Sequence, residues 1–176
     1  MRERVVNILD LTYGEGRFYI MLPREKLYLV GLDIRKLEWI VEPDIFIQKP
    51  SWRWREAPEK QYHLIVADPP WMKWRRGGEN RGFYSIYNML GDSIQIIRDA
   101  FDAAKKYRSM ILIHYKKPIK RLVNTDGFKL IKEIYFMGRW RKTRVKNHPY
   151  TSWYGLYTQN TMRRPTGTIK KKKNKK

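Results

Sequence analysis

The chain has 176 residues, 42% of them hydrophobic and 14% aromatic, which predicts one domain with a substantial core. Its 38 lysines and arginines against 17 aspartates and glutamates give a formal net charge of +21, which with no long apolar segment favours nucleic acid over a membrane as the partner. The absence of cysteine excludes disulfides, thiolate metal sites and a cysteine nucleophile.

The chain begins with a predicted strand, residues 5–9, that ends at Asp10. This charged, strand-like start lacks the long apolar stretch of a signal peptide, so we expect a cytoplasmic protein. Gly14 and Gly16 follow, and two glycines spaced by one residue after a strand permit a tight turn and a close approach to a ligand. An ordinary turn is the alternative interpretation of such a pair.

The segment from Asp10 to Gly16 resembles the first motif of class I methyltransferases. Its form, Asp-x-Thr-x-Gly-x-Gly, is also similar to the bacterial ribosomal-RNA N4-cytosine methyltransferase family. The resemblance implies that Asp10, Thr12, Gly14 and Gly16 bind S-adenosylmethionine. Only residues 17–26 are left for the crossover to the next strand, so the long helix typical of this family is predicted to be shortened.

A second strand is predicted at residues 27–32, ending at Asp33. In the class I fold an acid at this place accepts hydrogen bonds from the cofactor ribose, and dinucleotide-binding folds place an acid about 20 residues after the glycines in the same way. A helix N-cap is the alternative role for Asp33. A third short strand is predicted at residues 45–47, and Asp44 before it either contacts the adenine end of the cofactor or is merely solvated.

The fourth predicted strand, residues 64–67, is a short apolar, β-branched run that suits the centre of a sheet covered on both faces. Asp68, Pro69, Pro70 and Trp71 follow it. Proline has no N–H and cannot continue a central strand, so the chain leaves the sheet here in a stiff loop. This loop presents a carboxylate, a free carbonyl and an indole.

Those three groups suit the methylation of an exocyclic amino group of a nucleobase, whose nitrogen lone pair is delocalised into the ring. A carboxylate and a carbonyl that accept its two N–H bonds localise the lone pair, while an aromatic face holds the extruded base. The sequence here resembles the amino-methyltransferases of DNA and RNA, which carry an Asp-Pro-Pro-Trp/Tyr motif. The resemblance implies these roles for Asp68, Pro69 and Trp71, with Pro70 completing the motif and Asp68 also beside the cofactor. Alternatively, Asp68 is a cap and the prolines only end a strand.

Later elements complete the predicted sheet. A helix at residues 86–107, a strand at 109–115 and a short helix at 118–124 precede two strands at 128–137 and 151–158. The last two are predicted to form an antiparallel hairpin at the sheet edge. The resemblance implies a Rossmann-like class I methyltransferase fold, α/β, with a seven-stranded and mostly parallel sheet.

Basic residues lie in two loops beside the predicted site, residues 72–82 and 138–150, and in a low-complexity tail. We predict a methyltransferase domain at residues 1–161 and a disordered basic tail at 162–176. Residues 52–55 alternate tryptophan with arginine, which fits either base stacking or one buried tryptophan with exposed arginines. The predicted RNA-binding residues are Trp74, Arg75, Arg76, Arg81, Arg139, Arg141 and Arg144; His148 is a further candidate for proton removal.

The favoured function is transfer of a methyl group from S-adenosylmethionine to cytosine N4 in structured RNA, ribosomal RNA first, with dimethylation open. No stretch is long enough for the target-recognition region of DNA amino-methyltransferases, and the basic loops and tail fit recognition of RNA by shape and phosphate contacts. No metal is expected. The alternatives are adenine N6 in RNA, a DNA substrate, and a non-catalytic RNA-binding subunit; the oligomeric state is left open.

Overall fold

A computed structural model of the chain describes residues 5–69, 90–116, 118–138 and 150–160. These residues form one seven-stranded sheet and one α-helix, α1, Leu90–Tyr107. The strands are β1 Val6–Asp10, β2 Leu27–Leu32, β3 Ile45–Ile47, β4 Leu64–Ala67, β5 Met110–Tyr115, β6 Phe128–Gly138 and β7 Tyr150–Gln159.

The strand order across the sheet is β3-β2-β1-β4-β5-β7-β6. The first five strands are parallel to their neighbours, and β7 runs antiparallel to both β5 and β6. The order changes direction between β1 and β4, and open α/β sheets bind their ligands at such a switch point, beyond the carboxyl ends of the strands. The predicted fold class is confirmed, and the predicted strands agree with the structure to within one residue at each end.

One face of the sheet is covered by α1. Ile97, Phe101 and Ala104 recur at helical spacing and are all buried. A 3-10 segment, Ser51–Glu56, lies beside the helix, where the Ser51 hydroxyl donates to Asp99 Oδ2 at 2.6 Å. No helix among the described residues is long and apolar enough to cross a bilayer.

The other face is covered by irregular segments within the described residues. The connection from β1 to β2 contains only two 3-10 turns, Arg17–Tyr19 and Arg24–Lys26, which confirms the shortened crossover. Tyr13 and Tyr19 take the place of a helix, with their rings stacked at 5.6 Å between centroids. Gly31 on β2 allows this packing, because a Cβ there would come within 2.5 Å of the Tyr13 ring.

The helix predicted at residues 118–124 is wrong. The segment forms turns, in which the backbone N–H groups of Leu122 and Val123 both donate to the Ile119 carbonyl. Ile119 and Val123 are nevertheless buried. One turn is enough to bury these two side chains, and so short a segment gains too few hydrogen bonds to propagate a helix.

Candidate active site

Four polar side chains lie along the edge where the central parallel strands end. Asp10 closes β1, Asp33 follows β2, Asp68 follows β4, and His114 lies near the end of β5. The strand register aligns them, since Asp10 is paired with residues of both β2 and β4, and the last residue of β4 is paired in β5 with the residue before His114. The carboxyl edge of the sheet therefore carries three carboxylates and one imidazole.

The glycine turn is tied to Asp33. Gly14 and Gly16 have φ of 57° and 74°, in the left-handed region where glycine is favoured. The Gly14 N–H donates to Asp33 Oδ2 at 3.2 Å, and the Arg35 N–H donates to Asp33 Oδ1 at 3.0 Å. A Cβ on Gly14 would meet only the Thr12 carbonyl oxygen, at 3.8 Å. The turn therefore leaves room for a ligand to approach its backbone closely, beside a buried carboxylate.

Asp10 is buried and accepts three hydrogen bonds. Its Oδ1 accepts from the Thr12 backbone N–H at 2.9 Å and from the Thr12 hydroxyl at 3.3 Å, and its Oδ2 accepts from the Tyr19 hydroxyl at 2.7 Å. Burial raises the pKa of Asp10 to about 7, against the opposing effect of these hydrogen bonds and with a smaller contribution from the nearby charge of Asp68. Asp10 is thus a buried acceptor that fixes the two ends of the glycine turn through Thr12 and Tyr19.

We expect Asp10→Asn to remove a pH dependence of stability. Unfolded Asp10 ionises near pH 4 and folded Asp10 near pH 7, so wild-type stability from this group is present at low pH and is lost as the pH rises across that window. The loss is on the order of 4 kcal/mol from three pKa units. Urea unfolding between pH 4 and 8 measures it. The exposed Asp126→Asn is the control, and parallel pH profiles for wild type and Asp10→Asn would refute the expectation.

Thr12 joins the glycine turn to the loop after β4. Its hydroxyl accepts a hydrogen bond from the Asp68 backbone N–H at 2.7 Å while it contacts Asp10. Asp68 is therefore held directly beside the segment that resembles a cofactor motif. Its side chain is 34% exposed, whereas Pro69 is buried. The carboxylate consequently reaches the surface of the cleft from a fixed backbone.

His114 was not among the candidate residues of the sequence analysis. Its Nδ1 lies 2.8 Å from Asp68 Oδ1, and its ring stacks on Tyr154 with 4.2 Å between centroids and an interplanar angle of 11°. Phe18, just after the glycine turn, packs edge-on against both rings. The sequence shows only a polar residue near the end of an apolar strand, and its place beside Asp68 follows from the pairing of β5 with β4.

Two further sequence candidates have structural roles. Asp44 accepts a hydrogen bond from the Leu29 N–H at 2.7 Å and pairs with Arg24 at 2.8 Å, so it braces β2 at the amino end of the strand. Trp54 is buried beneath Arg55, and Trp52 is exposed. This arrangement favours the interpretation of one buried tryptophan with exposed arginines.

Several predicted site residues lie outside the described part of the chain, and their predicted roles remain predictions. Within the described part, no three metal-ligating side chains lie close enough together to hold an ion. The residues outside it are Pro70, Trp71, Trp74, Arg75, Arg76, Arg81, Arg139, Arg141, Arg144 and His148.

Comparison with known proteins shows the fold. No protein-family model matches the sequence, and no curated protein matches it significantly. Several solved structures are similar. A candidate RNA methyltransferase from Pyrococcus horikoshii has 13% identity and a TM-score of 0.57, over 92% of this chain and 77% of that one. Magnesium protoporphyrin IX methyltransferase from Synechocystis, solved with S-adenosylmethionine, has 11% identity and a TM-score of 0.56, over 90% and 72%.

A candidate ribosomal-RNA methylase from Clostridium thermocellum has 10% identity and a TM-score of 0.50, over 89% of this chain and 90% of that chain. Matches at such low identity show that the folds are similar and say nothing about the substrate. This chain has the Rossmann-like fold of class I methyltransferases, with the antiparallel strand pair at its carboxyl end.

Proposed function

We propose that the protein is an S-adenosylmethionine-dependent methyltransferase that modifies an exocyclic amino group of a base in structured RNA. The observation that carries this proposal is the hydrogen bond from the Asp68 N–H to the Thr12 hydroxyl. It ties the backbone of the residue that carries the carboxylate to the turn suited to the cofactor. Methyl transfer needs the cofactor methyl group and the amino nitrogen in contact, about 3–3.5 Å apart. The hydrogen bond between Asp68 and Thr12 keeps the two sites adjacent.

The residues of the glycine turn fit the cofactor. Gly14 leaves its backbone open to a ligand, and Asp33 lies beside it with the burial and charge suited to ribose hydroxyls. Asp10 and Thr12 fix the turn, and Gly16 completes it. The similar Synechocystis enzyme has the same fold, and its crystal structure contains bound S-adenosylmethionine. When bound, this cofactor would supply a methyl group carried on a sulfonium sulfur, and the amino nitrogen would bond to the methyl carbon as the carbon–sulfur bond breaks and the sulfur leaves as a neutral thioether.

Asp68 and the Pro69 carbonyl prepare the nitrogen. A carboxylate that accepts one N–H of the amino group, and a carbonyl that accepts the other, draw the nitrogen lone pair out of conjugation with the ring. The nitrogen gains positive character as its new bond forms, and the negative charge of Asp68 stabilises that change. The amine becomes acidic at the same moment, so its proton leaves to the carboxylate or to water without a stronger base. Trp71, the last residue of the motif, is proposed to hold the base.

RNA is the proposed substrate because the chain is strongly basic and two similar structures are candidate RNA or ribosomal-RNA methylases. Ribosomal RNA and cytosine N4 are the first choices, with single or double methylation both open, since the Asp-x-Thr-x-Gly-x-Gly form resembles that family. The residues proposed to contact RNA are one tryptophan and six arginines: Trp74, Arg75, Arg76, Arg81, Arg139, Arg141 and Arg144.

The test supplies the purified protein with radiolabelled S-adenosylmethionine and, in parallel, ribosomal RNA, small ribosomal subunits and duplex DNA. Label in RNA, identified as N4-methylcytidine by nucleoside mass spectrometry, supports the proposal. If the product is N6-methyladenosine, the target base is adenine rather than cytosine. Label in DNA alone would overturn the RNA assignment. Failure to bind S-adenosylmethionine in calorimetry would instead favour a non-catalytic RNA-binding subunit.

Replacing Arg75, Arg76 and Arg81 together by alanine is expected to weaken RNA binding without changing affinity for S-adenosylmethionine. Each phosphate contact contributes to the salt dependence, so the slope of log K against log salt should fall by about 2 and binding at low salt by about tenfold or more. Filter binding over a salt series measures both. The matched control removes three exposed basic residues elsewhere, Arg98, Lys105 and Lys120. Equal losses in both triple variants would indicate a general effect of charge.

A further inference from the structure

The strand register forces His114 against Asp68. Ala67 is the register partner of Ile113 in the parallel β4–β5 pair, so the next residue of each strand, Asp68 and His114, reaches the sheet edge side by side. His114 is also directly opposite Tyr154 in the antiparallel β5–β7 pair. Two different strand pairings therefore fix one imidazole beside the carboxylate.

Only one oxygen of the carboxylate is engaged by this contact. His114 Nδ1 lies 2.8 Å from Asp68 Oδ1, and within the described residues Oδ2 has no hydrogen-bond partner. The Asp68 side chain is 34% exposed and that of His114 is 13% exposed. The imidazole is thus the more buried partner, and the contact leaves the second carboxylate oxygen of a partly exposed side chain unused.

The imidazole itself has little freedom to turn. It stacks on Tyr154 at 4.2 Å, and the Phe18 ring meets both of them edge-on at 5.9 and 6.0 Å. Packed aromatic rings favour such offset and edge arrangements, which restrain the rotation of each ring. Phe18 belongs to the turn next to the glycines, so the cluster also links the cofactor side of the cleft to Asp68.

We propose that His114 is a positioning residue for Asp68. Its Nδ1–H donates to Oδ1 and holds the carboxylate plane so that Oδ2 accepts the N–H of the substrate amino group. This inference rests on the proposed function and names a residue that controls its central step. His114 touches neither the base nor the methyl group in this scheme, and it acts through the orientation of a carboxylate that would otherwise rotate about its last side-chain bond.

The size of the effect follows from the geometry. A misplacement of about 1 Å in a reacting arrangement costs on the order of 100-fold in rate. We therefore expect a reduction in kcat of about 10- to 100-fold when His114 can no longer donate.

Two variants separate the hydrogen bond from the ring. His114→Phe keeps an aromatic ring against Tyr154 but cannot donate, and should lower kcat by about 10- to 100-fold while the RNA KM and the Kd for S-adenosylmethionine change by no more than about twofold. His114→Asn loses the ring but carries an N–H near the position of Nδ1, and should recover most of the lost kcat. His63→Phe is the matched control, because His63 is exposed at the opposite end of β4 and should leave kcat unchanged.

Three outcomes would overturn the positioning role. They are a wild-type kcat in His114→Phe, an effect that falls on the RNA KM alone, and an asparagine variant no faster than the phenylalanine variant. The last of these would assign the effect to ring stacking. Circular dichroism and thermal unfolding of each variant confirm that the fold is retained.

A readout that needs no substrate keeps this inference separate from the proposed function. In ¹⁵N-labelled protein, His114 Nδ1 should be protonated and hydrogen-bonded, and its resonance should move in Asp68→Asn but not in the exposed Asp126→Asn. If wild-type protein methylates no nucleic acid while this shift is seen, the proposed function fails and the pairing stands. A His114 resonance indifferent to Asp68→Asn overturns the pairing whatever the activity.

Discussion

Asp68→Asn is expected to reduce kcat for methyl transfer by about 100- to 1000-fold, the effect of removing a group that stabilises developing charge. Asparagine has nearly the same shape, and it can still accept from His114 through its side-chain oxygen. It carries no negative charge, however, and the amino nitrogen becomes positive as it is methylated. The loss should therefore appear in kcat, because the charge that Asp68 complements exists mainly in the transition state.

Single-turnover assays with saturating RNA and radiolabelled S-adenosylmethionine measure this effect, and calorimetry measures the cofactor Kd. The Kd should change by less than about tenfold, because the glycine turn and Asp33 are untouched. Asp102→Asn makes the same chemical change at an exposed position of α1 and serves as the control. A folded Asp68→Asn protein with the wild-type rate would end the proposed mechanism.

Gly16→Ala is expected to abolish measurable cofactor binding and to destabilise the protein by several kcal/mol. Two effects act together at this position. The backbone has φ of 74°, which costs a residue with a Cβ about 1–2 kcal/mol. The new Cβ would also stand 2.5 Å from the Val41 carbonyl oxygen and 3.0 Å from the Tyr13 hydroxyl oxygen, so backbone must move.

Gly127→Ala separates these effects. Gly127 has a similar φ of 83°, but a Cβ there meets no atom within 4 Å. The Gly127→Ala variant should lose only about 1–2 kcal/mol of unfolding free energy, from the unfavourable backbone conformation, and should retain full affinity for S-adenosylmethionine. Urea unfolding and calorimetry on both variants provide the comparison. Equal destabilisation by the two substitutions, or an unchanged cofactor Kd in Gly16→Ala, would contradict the proposed role of the glycine turn.

The strands of the sheet could be predicted because each has a local sequence pattern. Short β-branched runs such as residues 64–67 end at an acid or a proline, and those breaks set the strand ends closely. Asp10, Asp33 and Asp68 all occupy strand ends, so the carboxyl edge could be inferred from order alone. Parallel strands bring their carboxyl ends together whatever the intervening sequence.

The remaining features depend on contacts between distant segments. His114 can be recognised as a site residue only once β5 is known to pair with β4, and no local sequence pattern marks it. The helix predicted at residues 118–124 failed because burial of Ile119 and Val123 is decided by the sheet they pack against. Tyr13 fits over Gly31 through a shape match between the turn after β1 and strand β2 that sequence spacing does not encode.

The position of β7 has a consequence for how the molecule is made. The last strand of the described chain, Tyr150–Gln159, is inserted between β5 and β6, so β6 has no place in the sheet until β7 arrives. A nascent chain emerging from the ribosome must hold residues 128–138 unpaired while the final strand is synthesised. Completion of the sheet is therefore late, and chains interrupted before residue 150 should expose strand edges open to self-association.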